Sequence, residues 1–180
     1  MRVPVASAPA PLGLGLALLL AGCAPALDWR ESRPADSGLA GMFPCQPKPF
    51  TRSVRLAGQA VALTLAACRA DGRTWALAWA DLADPGRVAA ALDELRGSAA
   101  ANIGAGNGPG RALPFAVPGA TPNPATRREE LQGRLPDGQP VVEQVAVFTR
   151  GLRVFQLTAL GPSLPPEAAD TFFASWRAQP

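Results

Sequence analysis

Between Phe50 and Ala80 apolar side chains return at every second position. "FTRSVRLA", "AVALTLAACRA" and "RTWALAWA" follow one another, with Val61, Leu63 and Leu65 on one face and Trp75, Leu77 and Trp79 on another. A period of two marks strands with one buried face. Asp71-Gly72 supplies a two-residue hairpin turn, because glycine accepts a positive φ. A turn at Gly58-Gln59 would join the first pair and set position 68 opposite about position 49. The period then changes. In "ADPGRVAAALDELRGSAAANI" Val88, Leu92, Leu95 and Ala99 fall at helical spacing, with Asp84 placed to cap and Pro85 suited to the first helical position. Asp93, Glu94 and Arg96 lie off that stripe, and Gly97 weakens the last turns.

Residues 102–125 lose all periodicity, and only "RALPFAV" within them has strand character. A loop of this length is usually functional or mobile. Alternation resumes in "TRREELQGRL", "PVVEQVAVFT" and "LRVFQLTAL", with turns at Asp137-Gly138 and Arg150-Gly151. A final stripe, Ala169, Phe172, Phe173 and Trp176, has helical spacing, with Glu167 and Asp170 early, where the helix dipole favours acids. The pattern predicts an α+β domain: about six strands in two antiparallel meanders, covered by two helices.

Composition narrows the chemistry. The chain has no histidine and no tyrosine. Ser-His and Cys-His nucleophilic centres and histidine-ligated metal sites are therefore excluded. Lys48, in "PKP", is the only lysine and reads as solvated. The carboxylates left for acid–base work are Asp81 with Asp84, Asp93 with Glu94, and Glu129 with Glu130. The last two pairs are adjacent residues that diverge on a helix or strand, so they read as solvated. "GAGNGPG", residues 104–110, lacks the spacing of a dinucleotide loop and follows a helix. The net charge of +3 comes from scattered arginines, with no basic stripe of the kind that nucleic acid requires. Trp75, Trp79, Phe172, Phe173 and Trp176 read as core between sheet and helix, or as the lining of an apolar pocket.

The first residues have a different grammar. Arg2 precedes an apolar run, Pro11 to Ala21, which is too short to span a bilayer. It ends in Leu20-Ala21-Gly22-Cys23. This tetrad resembles the lipobox of bacterial lipoproteins at every position. The resemblance implies removal of residues 1–22 and a lipid on Cys23, the sole covalent group expected. No other cofactor is expected. Ala24, where an aspartate would retain the protein at the inner membrane, implies an outer-membrane anchor facing the periplasm in a Gram-negative envelope. Residues 23–40, "CAPALDWRESRPADSGLA", read as a tether, with Trp29 free to dock on the domain or the membrane interface. Residues 41–180 form the domain, approached through the proline-rich "FPCQPKPF". With Cys23 lipidated, Cys45 and Cys68 remain, and an oxidising periplasm favours a disulfide between them over two free buried thiols.

Phe43-Pro44-Cys45-Gln46-Pro47 leading into hairpins, a central helix, more hairpins and a last helix carrying "FFASW" resembles the PsbP-like fold over residues 40–178. That implies an αβα sandwich and transfers no functional residue. The cysteine in "FPC" and the 102–125 loop depart from the pattern. The expectation is a non-catalytic module, lipid-anchored to the membrane, that docks to another envelope protein. The alternative is a binder of a small apolar ligand, and a carboxylate-dependent hydrolase stands last.

Overall fold

The computed structural model describes residues 26–106 and 108–179. Removal of residues 1–22 and lipidation at Cys23 therefore lie outside the described residues. The described chain is mostly antiparallel β-sheet with two α-helices, an α+β arrangement. The strands are β1 (Arg30–Ser32), β2 (Leu39–Phe43), β3 (Lys48–Leu56), β4 (Gln59–Ala70), β5 (Arg73–Asp81), β6 (Arg111–Leu113), β7 (Arg127–Arg134), β8 (Pro140–Arg150), β9 (Arg153–Gly161) and β10 (Arg177–Ala178). The helices are α1 (Val88–Asn102) and α2 (Pro166–Ala174).

Seven strands form one sheet in the order β3-β4-β5-β9-β8-β7-β6. Both expected meanders are present and are joined through the β5–β9 pair, where Trp75 faces Ala159 and Trp79 faces Phe155. The count of six strands is corrected. "RALPFAV" contributes β6, and β1, β2 and β10 form a second sheet of three. That second sheet also corrects the tether. From Arg30 the chain is strand rather than linker, and Trp29 docks edge-on against Trp75 at 5.6 Å. β2 holds both ends of the domain together, pairing with β1 on one side and with β10 on the other.

Each sheet face carries its own core. On one face Trp75, Leu77, Phe148, Phe155 and Leu157 pack against α2 and β2. Phe172 lies at the centre, within 5.3 Å of Trp75, 5.5 Å of Phe43 and 5.8 Å of Trp176, all edge-to-face. A Cβ at Gly41 would collide with the Trp176 ring, so only glycine lets β2 come this close. On the other face α1 lays Ala91, Leu92, Leu95 and Ala99 over Val145, Val147 and Val154. Asp84 accepts from Gly86 N–H and starts a single 3-10 turn, Pro85–Arg87, before α1 begins. The helix runs through Gly97 to Asn102 and ends on β7, where Arg134 N–H donates to Ile103 O at 2.7 Å.

Turn positions differ from expectation by one residue at two hairpins. The first turns at Ala57-Gly58, with φ of 49° and 78°, and pairs Leu56 with Gln59. The last turns at Gly151-Leu152, pairing Arg150 with Arg153. Asp71-Gly72 stands as expected, with φ of 50° and 69°. A five-residue loop around Asp137-Gly138 joins β7 to β8.

Candidate functional site

Moving the first turn places position 68 opposite 47 rather than 49, since Lys48 pairs with Ala67. The disulfide forms nonetheless. Cys45 and Cys68 are bonded with Cα atoms 6.0 Å apart, which fastens the segment before β3 to β4.

The five aromatics singled out as core or pocket lie in core. Trp75, Trp79, Phe172, Phe173 and Trp176 are all buried, with ring contacts filling the space between sheet and α2. At the rim, Arg128 lies 4.2 Å over the Phe173 ring and donates to Gln144 Oε1 at 2.5 Å and Asp170 Oδ1 at 3.1 Å. Gln144 in turn donates to Glu130 Oε2 at 2.9 Å. Desolvation pushes Glu130 upward, but the bonds from Arg111 and Gln144 outweigh it and hold the carboxyl below its usual range.

The carboxylates weighed for catalysis are engaged in holding the fold. Arg153 binds Asp81 through both nitrogens, at 2.7 and 2.6 Å, and lowers its pKa. Asp93 accepts from Arg127, and Glu94 accepts the Ala57 N–H at 2.7 Å, tying α1 to the β3–β4 turn. The expectation that Glu129 is solvated is corrected, and Arg96, though off the apolar stripe, is buried with it. Arg96 is 7% exposed and donates to Glu129 Oε2 at 2.7 Å and to Gly108 O at 2.6 Å. Gly110 N–H also points at that carboxylate, at 3.3 Å. A buried pair thus clips the start of the 102–125 loop to α1. Helical spacing puts Arg96 off the apolar stripe, but the stripe is flanked by β7, and the guanidinium reaches it.

Glu143 carries no sequence signal, because it sits within an alternating strand. It is 4% exposed, and burial pushes its pKa up to about 7 against the effect of a Thr158 hydrogen bond. Thr158 also accepts from Gln156 Nε2 at 2.9 Å. Gln156 lines a groove on the same face, so a short polar line runs from Glu143 toward the surface.

That groove is lined largely by apolar side chains. It has a volume of about 410 Å³ and lies between α1 and β3–β5. It exists because α1 packs chiefly on β8 and β9 and touches β3 only lightly. Phe50, Val54 and Leu56 of β3 line it with Leu63 and Leu65 of β4 and Leu95 of α1. Phe50 is 64% exposed and stands directly opposite Leu65, itself 38% exposed. Beside the groove is the free edge of the sheet, since β3 is its terminal strand. β3 is exposed along nearly its whole length and carries Lys48, Arg52 and Arg55. No acid occurs from Ser37 to Ala70. Most arginines elsewhere pair with carboxylates, but among the described residues these three cations form no ion pair. The sheet's other edge, β6, is only three residues long.

A bare strand edge, a half-covered apolar groove and unpaired positive charge are the chemistry of a contact surface. Among the described residues no cluster of acids and cysteines could hold a metal ion, and no helix is long and apolar enough to cross a membrane. The chain matches no known protein family, and no curated protein matches it either.

Proposed function

We propose that this chain is a lipid-anchored envelope protein whose domain is a non-catalytic interaction module facing the periplasm, with the β3–β4 hairpin as its contact surface. One observation carries the reading: among the described residues β3 ends the sheet unpaired, with Phe50 and Leu65 exposed side by side. Edge strands of this length are normally shortened or covered, because they invite pairing with other chains. Exposed aromatic residues beside a polar rim are typical of docking sites. The lipobox resemblance at Leu20-Ala21-Gly22-Cys23 supports the anchor, and the disulfide is compatible with an oxidising compartment. A helix on each face of one antiparallel sheet supports the PsbP-like reading of the fold.

The test is photocrosslinking in native membranes, with the full-length chain carrying a photoreactive residue at Thr51 or, as control, at Glu167. A near-stoichiometric protein adduct from position 51 alone is expected. No adduct, or equal adducts from both positions, would overturn the reading. The anchor is tested by Cys23→Ala, which should leave the chain without lipid and unattached to membranes. Membrane-held, lipid-bearing C23A protein would refute it.

A second reading, a small apolar ligand, is favoured by the groove rather than by the aromatic cluster. Its volume of about 410 Å³ falls in the range of small-molecule sites. A ligand there would raise the melting temperature and lose its effect in Leu65→Glu.

A further inference from the structure

The hydrogen-bond phase of β3 follows from its turn. In a two-residue hairpin the residues flanking the turn form a doubly bonded pair, and bonded and non-bonded pairs then alternate. Leu56 and Gln59 flank Ala57-Gly58. Residues 48, 50, 52, 54 and 56 therefore direct their backbone groups toward β4, and residues 49, 51, 53 and 55 direct theirs away from the sheet. The sequence agrees with this phase. Pro49, which has no N–H to give, falls at an outward position. The outward donors are the N–H groups of Thr51, Ser53 and Arg55.

Side chains follow the same alternation. Phe50, Arg52 and Val54 face the groove under α1, while Thr51 and Ser53 face the opposite side, and the Arg55 side chain, which donates to Gly58 O at 3.0 Å, borders the end of the groove. Thr51 and Thr64 share a hydroxyl hydrogen bond of 2.8 Å on that opposite side, which stiffens the hairpin. A strand laid along the outer edge would gain the three donors at once. It would also drop alternate side chains beside Phe50 and Val54, at the open flank of the groove.

Charge selects among the strands that could do this. A second copy of β3 would bring Arg52 and Arg55 against their own like, and like charges across a strand pair are destabilising. Basic residues and a proline on an edge are the usual defence against self-pairing. The same charges attract a strand that carries carboxylates. We infer that β3 accepts an extended acidic segment of a partner protein as an eighth strand of the large sheet, with apolar side chains beside Phe50 and Val54 in the α1 groove, carboxylates on the same face beside Lys48 and Arg52, and a carboxylate at the groove end beside Arg55. The inference rests on the hairpin being the contact surface and names the chemistry of what it contacts.

The probe is the nine-residue peptide Glu-Thr-Val-Thr-Glu-Thr-Val-Thr-Glu, whose one face alternates carboxylates with apolar side chains, titrated into the detergent-solubilised full-length chain at low salt. Three results are expected. It binds at least tenfold more tightly than the same peptide with Lys in place of each Glu, a preference that fades at high salt. It slows amide exchange at Thr51, Ser53 and Arg55. Ser53→Pro, which deletes one outward donor and leaves the β4 ladder untouched, weakens binding at least tenfold, while Ser53→Ala binds as the native chain does. Equal binding of both peptides overturns the acidic partner. Undiminished binding by a folded Ser53→Pro chain overturns strand addition, as does no binding of the acidic peptide at millimolar concentration. A protein adduct at position 51 in membranes, together with failure of the peptide, would retire this inference and leave the interaction module standing. Failure of both would retire both.

Discussion

The two faces of the large sheet are built on different principles. The α2 face is aromatic and closed: Phe43, Trp75, Phe148, Phe155, Phe172 and Trp176 fill it, and the second sheet seals its flank. The α1 face is aliphatic and alanine-rich, holds buried charge at Arg96, Glu129 and Glu143, and leaves β3–β4 uncovered. Large rings in edge-to-face contact fix one arrangement of the α2 face. Small side chains under α1 let the helix sit close to the middle of the sheet, and one helix is too narrow to reach the edge as well. The first face is expected to carry most of the stability, and the proposed contact surface lies in the gap left by the second.

Substitutions sharpen that contrast. Phe172→Ala removes the ring at the centre of the closed face and should lower unfolding free energy by about 4 kcal/mol in denaturant titration. A loss below about 1 kcal/mol would mean that the aromatic face is not where stability lies. Glu129→Ala strands the Arg96 guanidinium and should cost roughly 3 kcal/mol. It should also open the chain to protease between Ile103 and Arg111, because Gly108 and Gly110 are held through that pair.

Glu143 gives the α1 face a pH signature. Its folded pKa of about 7 lies above the ordinary carboxylate value, so between about pH 4.5 and 7 the folded chain keeps a proton that the unfolded chain has lost. Stability should therefore fall as pH rises through that window and level off above it. Glu143→Gln should flatten the fall and stabilise the chain at pH 8 by up to about 3 kcal/mol. An unchanged pH profile would show that Glu143 titrates normally. The smallest effect is expected at the open edge. Phe50→Ser should change stability by less than about 0.5 kcal/mol, because its ring is mostly in water already. A larger loss would mean that the groove belongs to the core.

The six long strands and both helices were legible because each carries its own period. What the sequence concealed depends on partners far away in the chain. β10 is two residues long and exists only because Ala40 and Leu39 stand ready to pair with Arg177 and Ala178. No local pattern announces a strand of that length. The first turn shifted because Ala57, a residue with no preference for positive φ, adopts 49° there. Its N–H is held by Glu94 and its carbonyl by Arg87, contacts a one-dimensional reading cannot supply. Glu129 was misread for the same reason: it looks solvated until Arg96 is brought beside it from the helix.

β2 joins the two ends of the domain, and this has a mechanical meaning. If Cys23 is fixed in a membrane, tension enters through β1, which is held by three residue pairs, the Glu31–Arg177 ion pair, the Asp28 N–H bond to Pro44 O and the docking of Trp29. Those contacts form the weakest link in the load path and would yield before the large sheet. Freeing residues 26–38 adds about 40 Å of extended chain between bilayer and domain. With such an anchor the N-terminal strand would be a folded reserve of reach, drawn out under load and rewound when the load is released.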